Sequence, residues 1–121
     1  MYNFIKLGDL IIPKSQVKYI KMDKDVSHTK TIDKDIYEYH GFVFTITYQI
    51  NSDEIKTFKI YIKNPRGNVL RQIMERGTIK TKYEYNGCES KNLDDKWFKE
   101  YIKYLESLAV SEFRNQVFIE L

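Results

Sequence analysis

IYEYHGFVFTITYQI, running from Ile36 to Ile50, is the stretch whose reading decides the fold. Phe42, Phe44, Ile46, Tyr48 and Ile50 recur on one face at a period of two, and Tyr37, Tyr39, Val43, Thr45 and Thr47 fall on the other. Such alternation belongs to a β-strand. Because both faces are partly apolar, it predicts a long central strand, or one shared with a partner. Asn51-Ser52-Asp53-Glu54 supplies turn residues, after which Phe58, Ile60 and Ile62 alternate with Lys59, Tyr61 and Lys63. The pair reads as a β-hairpin.

Towards the N-terminus, Tyr2 to Met22 reads as a small antiparallel meander: a strand, a turn at Gly8-Asp9, a short strand through Leu10, Ile11 and Ile12, and a third strand from Gln16 after Pro13. Between Asp23 and Asp35 the apolar content falls to Val26 and Ile32, which predicts a solvated loop. Towards the C-terminus, Asn64-Pro65-Arg66-Gly67 ends the hairpin. Val69, Leu70, Ile73 and Met74 then recur at helical spacing up to Gly77, which predicts a short helix with a glycine cap. Thr78 to Tyr85 alternates again and closes at Asn86-Gly87. Asn92 is a candidate N-cap, with Asp94 and Asp95 placed where the helix dipole favours negative charge. Leu93, Trp97, Tyr101, Tyr104, Leu105 and Leu108 form one stripe, widened by Phe98 and Ile102, so the last third is an amphipathic helix. From Val110 the tail fits helix better than strand.

These elements give an α+β fold: an antiparallel sheet of five to six strands followed by a long C-terminal amphipathic helix packed on one face. A chain of 121 residues suits a single domain, with the β-meander and hairpin over 1–85 and the helical part over 92–121. At 42% hydrophobic residues it has material for a core, which argues against disorder. No apolar run approaches the roughly 20 residues that span a bilayer, and the first residues lack the pattern of a signal peptide. A cytoplasmic protein without membrane insertion is expected. The lone Cys88 can form no intramolecular disulfide and no CxxC knuckle, so no metal and no cofactor are expected.

Catalytic patterns are missing: the sequence has no GxSxG, HExxH, GxxxxGK[ST] or GxGxxG. His28 and His40 are the only imidazoles, and His40 beside a carboxylate is the one acid–base candidate. The more economical expectation is that no residue is catalytic.

Charge is distributed unevenly. From Ile55 to Tyr83 eight basic residues stand against Glu75 alone, a net of +7, which leaves −4 for the rest of a chain whose total is +3. Strand alternation puts Lys59, Tyr61 and Lys63 outward, and likewise Lys80 and Lys82. With Arg66 at the turn, these six are the candidate residues for a ligand or partner. Arginine is scarce here, and its planar fork suits carboxylate or phosphate better than lysine does, which singles out Arg66. The surplus of tyrosines points to an interface on Tyr37, Tyr39 and Val43 and to a homodimer. The expected function is therefore a small non-enzymatic binding protein that engages a partner protein or sequesters an anionic, phosphate-containing ligand, in the manner of a phage or mobile-element inhibitor. The rival reading is a nucleic-acid-binding protein using the basic sheet face at 56–82.

Overall fold

The computed structural model describes residues 3–51, 53–77, 80–89 and 93–120. In chain order the elements are β1 (Phe4–Leu7), β2 (Leu10–Pro13), β3 (Val17–Lys30), β4 (Lys34–Asn51), β5 (Glu54–Lys63), β6 (Leu70–Glu75), β7 (Thr81–Tyr85), β8 (Cys88–Glu89), α1 (Asp95–Val117) and β9 (Phe118–Ile119). The fold is α+β, as its pattern of strands and a final helix predicts.

Strand β4 organises the main sheet. Over its 18 residues it pairs with β3 on one side, and on the other side first with β6 and then with β5. Beyond β6 lie β7 and β8, so the order is β3-β4-β6-β7-β8 with β5 also on β4. A second, three-stranded sheet runs β2-β1-β9. All pairings are antiparallel. The expected meander is thus divided: β1 and β2 form a hairpin, but β3 joins the other sheet.

Helix α1 covers the main sheet. Asp94 caps it, its carboxylate accepting the Trp97 N–H at 2.8 Å, and Asp95 lies in the first turn. The proposed cap Asn92 lies outside the described residues. Phe98, Ile102, Leu105, Ala109, Phe113 and Val117 are buried along one stripe. They meet Phe42, Phe44 and Ile46 of β4 and Ile5 and Leu7 of β1 in one apolar core, with Phe113 stacked on Phe44 at 4.2 Å. The tail is helical to Val117, after which Phe118 and Ile119 extend and pair with β1.

Two segments depart from expectation. Residues 69–76 form no helix; Leu70–Glu75 is strand β6, hydrogen-bonded to β4 on one side and β7 on the other. Leu70 is fully buried in a strand, so pairing on both sides overrides a spacing that a short helix would also satisfy. Gly77 serves a turn at φ 81°. Nor is 23–35 a loop: β3 reaches Lys30, β4 starts at Lys34, and only Thr31–Asp33 turns between them. Its exposed side chains gave a loop's composition, while the ladder to β4 needs only backbone groups.

The two faces of β4 also exchange at one point. Asp25 pairs with Gly41 and Val26 with Tyr39, which leaves His40 as an extra residue, a β-bulge. Tyr39 therefore shares the helix-covered face with Phe42, packing edge-on against Phe98 at 5.2 Å. Gly41, at φ 152°, is held so close to β5 that a Cβ would lie 2.1 Å from the Ile62 carbonyl oxygen.

Candidate ligand-binding cleft

Opposite the bulge the chain breaks between β5 and β6, and that break builds one wall of a cleft. The buried Asn64 holds the break in place. Its backbone N–H donates to His40 O at 2.9 Å, and its Nδ2 donates to Tyr39 O at 3.1 Å and to Asn68 O at 3.0 Å. Pro65 follows, then Arg66 at φ 56° and Gly67 at φ 64°. Arg66 occupies a left-handed conformation costly for a residue with a Cβ, and its side chain is exposed. Among the described residues no acceptor pairs with its guanidinium.

The facing wall is a stripe of α1: Tyr101, Tyr104, Leu105 and Leu108, which recur at helical spacing. Tyr85 at the end of β7 and Asn68 and Asn86 complete a cleft of about 680 Å³, within the size range of ligand sites. The rings brace one another. Trp97 stacks on Tyr101 at 5.2 Å and 13°, and Tyr85 meets Tyr101 edge-on at 5.5 Å and 79°.

A chain of hydrogen bonds gives the cleft a polarity, and as far as the Tyr101 oxygen its direction is set by a group that can only donate. The backbone N–H of Val69 donates to Asn86 Oδ1 at 2.8 Å, so that amide presents Nδ2 to Asn68 Oδ1 at 3.3 Å. Asn68 must then present Nδ2 to the Tyr101 hydroxyl, at 3.3 Å. Tyr101 in turn donates to the Tyr85 oxygen at 3.3 Å. Tyr85, having accepted, keeps its own proton for an acceptor that no described residue supplies. Burial, and then the bond donated to Tyr85, push the Tyr101 hydroxyl up to about 12. The cleft thus offers donors, with one permanent cation at its rim.

The other candidate residues are dispersed. Lys59, Tyr61 and Lys63 project from the face of β5 away from the helix, in register with Thr45, Val43 and Gly41. Lys82 lies on the same face of β7, 3.3 Å from Glu75. Strands β5 and β7 are not neighbours, because β6 continues β5 along the same side of β4. Between the lysines runs the row Glu38–Arg71–Glu84, with Arg71 at 2.8 Å from Glu38 and 3.9 Å from Glu84. The outward lysines therefore do not form one patch. Lys80 borders a separate pocket of about 220 Å³ with Asp35 and Arg76, at the opposite end of β7 from Arg66. Thr78 and Ile79, expected to begin that strand, lie outside the described residues, as does the Cys88 side chain.

Tyr37, Tyr39 and Val43 do not form one surface. The bulge turns both tyrosines to the helix-covered face and leaves Val43 on the other. Tyr37 stacks on His28 at 4.4 Å. Tyr39 donates to Gln72, Tyr83 to Asp95 and Tyr101 to Tyr85, so these tyrosines find their hydroxyl partners inside the chain. Their number alone no longer argues for self-association.

His40 lies 2.8 Å from Ser27 Oγ and 3.5 Å from Glu38 Oε1, but both contacts use Nε2. A catalytic relay needs the base to touch nucleophile and carboxylate through different ring nitrogens. His28 Nε2 donates to Asp35 Oδ1 at 3.0 Å, and Arg76 lies 3.5 Å from the same oxygen. Among the described residues no cluster of His, Cys, Asp and Glu could hold a metal ion, and no helix is long and apolar enough to cross a membrane.

Arg66 was legible in the sequence as a scarce arginine at a turn. Asn68, Asn86, Leu105 and Leu108 were not, because nothing local shows that the 64–68 break meets the turn after β7 and the middle of α1. No protein-family model, curated protein or solved structure matches this chain.

Proposed function

We propose that the protein is a small binding protein whose cleft between the 65–68 segment, Tyr85 and α1 holds an anionic ligand, anchored by Arg66. One observation carries this reading: the hydrogen-bond chain that starts at the Val69 N–H ends with a Tyr85 proton that no described residue accepts, in a cleft also lined by Arg66, whose guanidinium has no partner among the described residues. Such a site seeks acceptors. None of its described lining side chains is a carboxylate, imidazole or thiol, so it has neither a general base nor a strong nucleophile. Binding, and not turnover, is what this set of groups supports.

The apolar stripe supports a ligand larger than a bare ion. Leu105 is 1% exposed and forms the floor, while Tyr104 is 55% exposed at the rim. An occupant placing its anion on Arg66 would lay its remaining surface over these side chains.

Titration of the ¹⁵N-labelled protein with benzoate, which joins a flat ring to a carboxylate, tests the reading. Saturable shifts confined to residues 66–69, 85–86 and 101–108 are expected. Arg66→Ala should weaken the affinity by about 1 to 3 kcal/mol, a factor of roughly 5 to 150, as for a lost charge-assisted contact. Equal affinity in the variant would remove Arg66 from the site, and shifts centred on Lys59 and Lys82 would move it to the outer sheet face.

A further inference from the structure

We infer that the occupant of the cleft is an extended, proline-rich segment of a partner protein that carries an acidic residue; this rests on the reading of the cleft as an acceptor-seeking site. Three features converge on it.

Polarity comes first. An ordinary peptide brings an N–H with every carbonyl, and a site that presents donors leaves those N–H groups unmatched. Proline has no N–H, so a proline-rich segment presents carbonyl acceptors with few donors. In the polyproline II conformation these carbonyls make no internal hydrogen bonds and are free to accept. The Tyr85 hydroxyl, at the end of a chain polarised from the Val69 N–H, is directed to meet one.

Length comes second. The stripe from Tyr101 to Leu108 spans seven steps of α1, roughly 10.5 Å at about 1.5 Å per residue. A polyproline II helix repeats every three residues, roughly 9.3 Å at about 3.1 Å each. Prolines three apart would therefore rest on the two ends of the stripe, one against the tyrosine rings and one against Leu108. A small anion would satisfy Arg66 and leave that length bare.

Preorganisation and charge come third. Trp97, Tyr101 and Tyr85 hold one another by stacking and edge contacts, so the aromatic surface exists before a ligand arrives. The proline segment is equally preformed, and the association sacrifices little conformational freedom on either side. Arg66 on the opposite wall has no intramolecular partner among the described residues and would take the acidic side chain.

The full chain would be titrated with an acetylated and amidated peptide of nine prolines in which the central residue is replaced by Glu. Binding is followed through Trp97, the only tryptophan, which stacks on Tyr101. Saturable binding is expected. Replacing Glu by Lys, or every Pro by Ala, should each weaken it at least about tenfold, and Tyr85→Phe about fivefold with the fold unchanged by circular dichroism. Equal binding of the Ala peptide would overturn the proline inference. Binding of benzoate without binding of any peptide would also overturn it while leaving the cleft as a small-anion site. If neither probe binds, both readings fall. Equal affinity of Tyr85→Phe and parent for the Glu peptide would overturn the assigned polarity of the cleft.

Discussion

Arg66 holds a backbone conformation that suits glycine, with φ 56° immediately before Gly67 at φ 64°. A Cβ in the left-handed region costs about 1 to 2 kcal/mol, whereas glycine's extra freedom in the unfolded chain costs about 0.5 to 1. A position selected for folding alone would favour glycine. Arg66→Gly is therefore expected to stabilise the protein by about 0.5 to 1 kcal/mol while weakening benzoate at least as much as Arg66→Ala does. Urea unfolding and the NMR titration measure the two effects separately. A glycine variant that is both less stable and undiminished in binding would show that the side chain serves the fold. The strained backbone is a second, independent reason to assign a task to this arginine, beyond the scarcity visible in the sequence.

The hairpin β4–β5 and helix α1 were legible in the sequence because each carries one strong period and buries one face. Phe42, Phe44, Ile46, Ile60 and Ile62 alternate as they should, and Phe98, Ile102 and Leu105 follow the helix. What the sequence hid was the bulge at His40. One extra residue exchanges the faces of β4, so Tyr39 joins Phe42 in the core although strict alternation separates them. The same locality problem hid β6 and the 23–30 arm of β3, whose pairing partners are distant in sequence or carry polar side chains. Gly41 is the residue on which the bulge depends. Gly41→Ala would place a methyl 2.1 Å from the Ile62 carbonyl oxygen, where backbone and not a flexible side chain must yield. A loss of about 3 kcal/mol or more is expected, with the unfolding midpoint lowered by roughly 10 °C. Because Asn64 bonds the carbonyls of His40 and Tyr39, the variant should also disturb the cleft wall. A calorimetric midpoint within about 2 °C of the parent would show that β5 shifts without difficulty.

Taken together, the ionisable groups set different limits at the two ends of the pH range. Asp35 is held below the usual carboxylate range by its hydrogen bond to His28 and then by Arg76, and Asp95 likewise by Lys99 and then Tyr83. Their folded forms bind fewer protons than the unfolded chain, so the stability they contribute is present above about pH 4 and is lost as pH falls below it. At the alkaline end the sign reverses. Burial first, joined by the bonds of Tyr83 to Asp95 and of Tyr101 to Tyr85, raises Tyr39, Tyr83 and Tyr101, the last to about 12. These folded tyrosines retain protons that the unfolded chain releases near pH 10, so their contribution is complete below about 10 and declines through 10 to 12. Ligand binding shares that upper limit through Tyr101, which lines the cleft and whose hydroxyl is pushed up to about 12. A tyrosinate there would remove the donated proton and repel the anion. Benzoate affinity is therefore expected to be flat from about pH 6 to 9 and to fall as the pH approaches 12, where Tyr101 ionises. Both histidines lie instead on the β3–β4 arm, His28 against Tyr37 and Asp35, and His40 against Ser27 and Glu38. A step in affinity within the flat range would place the anion on that arm, away from Arg66.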